Sequence, residues 1–235
     1  MKYKIAEFIT EFEPRFDNLK NLAKPFEYYG SETTDLKLTI SDEYLDRLLK
    51  KMKPGTTKGE TENFAFASQF NRAITNKNAM LLHSSAIKYK GKAYLFSAHS
   101  GVGKSTHAKL WVDAFGSADV KYINDDKPVI RLYDNECIVY GTPFDGASGI
   151  ANNDSAVLGA IVFIERGKSN LIRKPTSDEI IKRMYFETSR FLNRDFAVCM
   201  LNNFERLISM TDFYILTCNM DKSAAILARD TIVKW

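Results

Sequence analysis

The chain has 235 residues, 45% of them hydrophobic and 26% charged, which supplies a full core and excludes a largely disordered protein. The 33 Lys and Arg against 29 Asp and Glu leave a net charge of +4 scattered along the chain, a solvated surface and not the footprint of a nucleic-acid binder. Three cysteines, Cys137, Cys199 and Cys218, have no CxxC spacing, which argues against a disulfide scaffold and a four-cysteine zinc site.

Apolar runs such as Val157 to Ile164 are strand-sized and fall short of the roughly 18–20 residues a membrane helix needs. The N-terminus, Met1 to Glu7, lacks the apolar segment and cleavage site of a signal peptide. A cytoplasmic, reduced protein without a membrane partner is expected.

In chain order, Tyr3 to Phe12 alternates like a strand with one break in phase, and Leu36 to Ile40 alternates again. Ser41 then offers an N-cap to a helix whose stripe is Tyr44, Leu45, Leu48 and Leu49. Pro54, Gly55 and Gly59 break the pattern over Lys53 to Glu62, a linker. Residues 1–60 therefore read as a small N-terminal α+β lobe, and 61–235 as a second, nucleotide-binding unit that opens on a helix over Asn63 to Thr75.

Ala79 to His83 precedes two alternating strands joined at Lys90-Gly91, a hairpin signal. A helix is predicted over Thr106 to Phe115, stopped by Gly116. A short strand through Tyr122 and Ile123 reaches Asn124-Asp125-Asp126. Val129 to Leu132 and Cys137 to Tyr140 form a hairpin about Tyr133 to Glu136, and Val157 to Glu165 is a buried strand. Thr176 to Glu179 has capping-box spacing before a helix with Ile180, Ile181, Met184 and Tyr185. Helices over Phe196 to Met210 and Lys222 to Val233 flank a strand over Phe213 to Thr217.

The sharpest motif is Ala98-His99-Ser100-Gly101-Val102-Gly103-Lys104-Ser105-Thr106. A phosphate-binding loop needs backbone N–H groups converging on one concavity, with glycines where a Cβ cannot follow the turn. It also needs a lysine for the β- and γ-phosphates and a hydroxyl beyond it for Mg²⁺. Gly101, Gly103, Lys104 and Ser105 supply these in order, and the helix that follows adds its positive dipole end. Ala98 stands where the first glycine of this pattern falls, which a negative φ permits. Nucleotide binding through His99 to Thr106 is expected, with ATP or another nucleoside triphosphate and Mg²⁺ as cofactors.

An antiparallel hairpin before the loop, and another after the acidic pair, point to a mixed sheet instead of the parallel units of ordinary P-loop NTPases. Leu82 to Ala86, Gly91 to Phe96, Ser105-Thr106-His107, Leu110-Trp111, Asn124 to Pro128 and Tyr140 to Phe144 together resemble HPr kinase/phosphorylase, in particular its short bacterial relatives. That family shares its P-loop core with the phosphoenolpyruvate carboxykinases. The resemblance covers roughly residues 79 to 166, with Phe144 in place of a tryptophan. It implies a mixed α/β fold: a partly antiparallel sheet around the P-loop, the N-terminal lobe, and a helical C-terminal part.

It also implies an ATP- and Mg²⁺-dependent kinase acting on a hydroxyl of a protein, peptide or small metabolite. Asp125 would act on the acceptor hydroxyl while Asp126 supports the metal or its waters, a division of roles that the sequence leaves open, with Ser105, Asp125 and Asp126 together the candidate metal ligands. His83 would tune the acidic pair, and Lys104 would hold the phosphates. Lys127 and Arg166 are cations that could neutralise the moving phosphoryl group. Thr142 to Gly146, with Phe144, reads as a rigid loop facing the site. Two other readings stand beside the kinase: a nucleotide-binding regulatory module that never turns over, and a plain P-loop NTPase. The acceptor and the oligomeric state stay open, a homo-oligomer suiting the family.

Overall fold

The computed structural model describes residues 1–145, 148–188 and 193–234. The chain begins with β1 (Lys2–Ile5) and β2 (Phe8–Glu11), then α1 (Asp17–Ala23), β3 (Leu36–Lys37) and α2 (Asp42–Leu49). The break in phase inside Tyr3 to Phe12 is the β1–β2 turn, where Ala6 and Glu7 take φ of 49° and 64°. That turn uses no glycine, so nothing in the sequence announces a hairpin. These three strands form a small sheet in the order β1-β2-β3.

Next comes α3 (Lys58–Ile74), which starts earlier than the sequence suggests. Thr57 and Glu60 make a reciprocal capping box, so the helix begins within the stretch read as a linker, and the boundary at residue 60 falls inside it. The large sheet follows: β4 (Ala79–Leu81), β5 (Ser84–Tyr89) and β6 (Lys92–Ser97), then α4 (Lys104–Phe115), β7 (Val120–Asn124), β8 (Val129–Leu132), β9 (Cys137–Tyr140) and β10 (Ser155–Arg166). After β11 (Leu171–Arg173) and the helices α5 (Ser177–Glu187) and α6 (Arg194–Met210), β12 (Asp212–Cys218) re-enters the sheet, and α7 (Lys222–Ile232) closes the chain.

The main sheet runs β4-β8-β9-β10-β6-β5-β7, with β12 also on β10 and β11 on β12. Among the described residues of this sheet β10 pairs in parallel with β6 and β12, and the other pairings are antiparallel. The fold is thus mixed α/β, as expected. Lys90 and Gly91 turn β5 into β6 with φ of 48° and 78°, the left-handed pair a two-residue hairpin requires.

Alternation along the strands builds a layer on each face. Tyr94, Phe96, Val162, Ile164, Tyr214 and Leu216 pack with Ala108 and Trp111 of α4 and Ala224, Ala225 and Ala228 of α7. Leu95, Ile161, Phe163, Phe213 and Ile215 pack instead with Ile180 and Met184 of α5 and Met200, Phe204 and Leu207 of α6. The N-terminal sheet and α3 share a third core with Leu81, Val129 and Phe144. The three cysteines are free thiols. No helix among the described residues is long and apolar enough to cross a membrane.

Candidate active site

The central strand pair β6 and β10 ends at a loop that turns into α4. Gly101 and Gly103 hold φ of 81° and 131°, and a Cβ at either would meet nothing within 4 Å. The glycines are needed for backbone conformation, not for space. Ala98 is not among the positive-φ residues, so it fits in the first glycine's place. The Lys104 ammonium is buried and donates to the Ala98 carbonyl at 2.9 Å. Burial pulls its pKa below the usual lysine range, against the opposing pull of Glu187, Asp126 and Asp125.

Across from the loop, β7 delivers the acidic pair through Asn124. The Asn124 Oδ1 accepts the backbone N–H of Asp126 at 2.9 Å and of Lys127 at 2.7 Å, and its Nδ2 donates to the Thr142 carbonyl at 3.0 Å. This buried Asx turn fixes where both acids emerge. The Ser85 hydroxyl donates to Asp125 Oδ1 at 2.5 Å, and the Lys127 ammonium pairs with Asp126. A cavity of about 350 Å³ is bordered by Gly101, Gly103, Lys104 and Ser105 on one side and by His83, Asp125 and Asp126 on the other. Asp126 and His83 also border a second cleft, of about 630 Å³, which Asp125 does not reach.

Glu187, which sequence reasoning did not single out, ties the site together. Its buried carboxylate accepts from His83 Nδ1 at 2.8 Å and lies 2.5 Å from His99 Nδ1, while its carbonyl accepts the His83 backbone N–H at 2.8 Å. A carboxylate only accepts, so His83 carries its proton on Nδ1 and presents Nε2 to Asp126, 3.4 Å away. Glu187 closes α5, whose other buried residues are Ile180 and Met184, and no local pattern connects it to histidines so far off in the chain.

Asp145 is a third buried carboxylate near the pair. Burial raises its pKa and the charges of Asp126 and Asp125 add to this, although the Ser148 hydroxyl at 2.9 Å and the Gly149 N–H at 2.6 Å stabilise its charge.

Other expected residues occupy different roles. Phe144 does not face the site: it is fully buried, with ring centroids 5.3 Å from Phe70 and 6.4 Å from Phe12. Thr142 is scaffold, its hydroxyl donating to the Lys127 carbonyl at 2.8 Å. Gly146, the end of the loop read as facing the site, lies outside the described residues. The Arg166 guanidinium is turned onto the loop's own carbonyls, Gly101 and Val102, the latter at 3.1 Å. Val102 lines a separate cavity of about 560 Å³ with Arg166 and His99. His107, on the first turn of α4, is buried away from solvent.

For a divalent cation the donor set is oxygen only: the Ser105 hydroxyl and the two carboxylates on one cavity. Among the described residues no three His, Cys, Asp or Glu side chains form a metal cage. Sparse oxygen donors suit Mg²⁺, which takes one or two carboxylates and completes its shell with phosphates and water.

No family model and no curated protein matches the sequence. Among solved structures similar to the chain is the HPr(Ser) kinase/phosphatase from Coxiella burnetii, 11% identical over 64% of this chain and 95% of that one, with a TM-score of 0.38.

Proposed function

We propose that the protein is an ATP- and Mg²⁺-dependent kinase that transfers the γ-phosphoryl group to a hydroxyl. The observation that carries this reading is one cavity with a glycine loop, the Lys104 ammonium and the Ser105 hydroxyl on one side and two carboxylates on the other. Backbone amides of the loop and the α4 N-terminus would hold the β- and γ-phosphates. Lys104, parked on the Ala98 carbonyl, would turn to the phosphate oxygens. Ser105 and Asp125 would hold Mg²⁺, which supplies charge neutralisation on the phosphates.

Asp126 borders both the phosphate cavity and the cleft beside it, whereas Asp125 borders only the former. We therefore assign the acceptor proton to Asp126 and the phosphate side to Asp125, the reverse of what the family resemblance implies. The acceptor O–H gives its proton to the Asp126 carboxylate as the new O–P bond forms. The bond from the γ-phosphorus to the bridging oxygen breaks, and the nucleoside diphosphate leaves. His83, oriented by Glu187, stabilises the acid that receives the proton. A cytoplasmic setting accords with this use of ATP.

Transfer of labelled γ-phosphate to proteins and metabolites of a lysate, wild type beside Asp125→Asn and Asp126→Asn, tests the reading. The expected result is Mg²⁺-dependent labelling that falls by about a hundredfold or more in both variants. Labelling that persists in both variants, or rapid ATP hydrolysis without any acceptor, would overturn it in favour of an NTPase.

A further inference from the structure

The cleft next to the phosphate cavity has a composition of its own. One wall is a stripe of α3, Phe64, Ala67, Ser68 and Asn71, spaced as neighbours on one helical face. Leu81 lines it from β4, and Phe186 from the end of α5. Phe64 and Phe186 are 43% and 56% exposed, so two partly exposed phenylalanine rings border a concavity that His83 and Asp126 also line. Such rings next to reacting groups mark a binding surface.

Charge narrows the ligand further. Lys127 is the only lysine or arginine among the described lining residues, and it is already paired with Asp126, while Glu187 adds a second carboxylate. A phosphorylated or carboxylated acceptor would face net negative charge here.

We propose that the acceptor is an uncharged hydroxyl on an apolar body, aromatic or branched aliphatic, seated between Phe64 and Phe186 with its oxygen at Asp126 and His83. This rests on the kinase reading and specifies its substrate class. The same chemistry is offered by a free alcohol and by a serine, threonine or tyrosine between apolar residues of a peptide.

Binding is measured by saturation-transfer NMR on the full chain without nucleotide, using matched probes. 2-Phenylethanol is set against glycerol, and the peptide acetyl-Ala-Phe-Ser-Phe-Ala-amide against acetyl-Ala-Asp-Ser-Asp-Ala-amide. The apolar member of at least one pair should bind about tenfold more tightly than its partner. Phe64→Glu, a surface change on α3, should remove that advantage and leave MgATP affinity unchanged. Preference within the alcohol pair alone assigns a small molecule, and preference within the peptide pair assigns a polypeptide. Equal binding of apolar and polar members, no binding of any probe, or an advantage untouched by Phe64→Glu would overturn the proposal. Failure of the wild type to bind MgATP would instead overturn the kinase reading, because the probes are measured without nucleotide.

Discussion

His107, one turn into α4, accepts the Trp111 indole N–H on its Nε2 at 3.2 Å and packs edge-on against Phe96 at 4.6 Å. Its proton is therefore on Nδ1, which is buried without a partner. Burial pushes its pKa down to about 4 from 6.5. A depressed histidine is neutral in both states above pH ~6.5, and there the fold keeps its full stability. Between pH ~6.5 and ~4 the unfolded chain binds the proton and the native state does not, so stability falls as pH falls, by about 3 kcal/mol from this group. The stability gap between wild type and His107→Phe, measured by urea unfolding, should narrow by about that amount from pH 7 to pH 4. An identical gap at both pH values would contradict it. From the sequence alone this ring was equally compatible with a surface position, because one polar residue in an amphipathic turn does not reveal which way it points.

At the scale of elements, the loop between β6 and α4 depends on a clamp as well as on its glycines. Arg166, where β10 ends, donates to the carbonyls of Gly101 and Val102, which anchors the loop to the end of that strand. Arg166→Ala should weaken nucleotide binding by about tenfold, the loss of roughly one charge-assisted hydrogen bond's worth of preorganisation. The thermal midpoint should stay nearly constant, because Arg166 is exposed. Unchanged affinity in an isothermal titration would show that the loop holds its shape unaided. The elements around this loop were legible because their signals are local. Lys90-Gly91 marks a tight turn, and Thr176 and Glu179 make the capping box that their spacing promised. The misses have physical reasons too. Helix α1 has no side-chain cap, and β11 is a three-residue strand with little burial to alternate. The start of α3 was obscured by Pro54, Gly55 and Gly59, although Thr57 and Glu60 carried the signal.

An aromatic cluster helps join the N-terminal strands to the main sheet, beside Arg131 of β8, which donates to the Ala6 carbonyl and lies over Phe8. Phe144, fully buried, touches Phe70 of α3 and Phe12 just past β2. Phe144→Ala should therefore cost about 3–5 kcal/mol in urea unfolding, the range for emptying an aromatic site in a core. A cost below about 1 kcal/mol would mean that the N-terminal strands are not seated on the sheet through this ring. The same long-range assembly explains how far the site could be read. Loop and acidic pair are contiguous motifs, so their chemistry could be stated before any coordinates. Glu187, by contrast, meets His83 and His99 only because α5 packs across the ends of β5 and β6, and Phe144 is diverted to the core by partners from the N-terminal lobe. Contacts of this kind are set by topology, and a single sequence does not display them.

The proposed kinase requires that the loop between β6 and α4 grip a triphosphate tail. Isothermal titration of MgATP into wild type and Lys104→Ala measures that directly. Saturable binding by the wild type, weakened by about a hundredfold in Lys104→Ala, is the predicted result. Equal affinity in the two proteins, or no binding by the wild type, would contradict it.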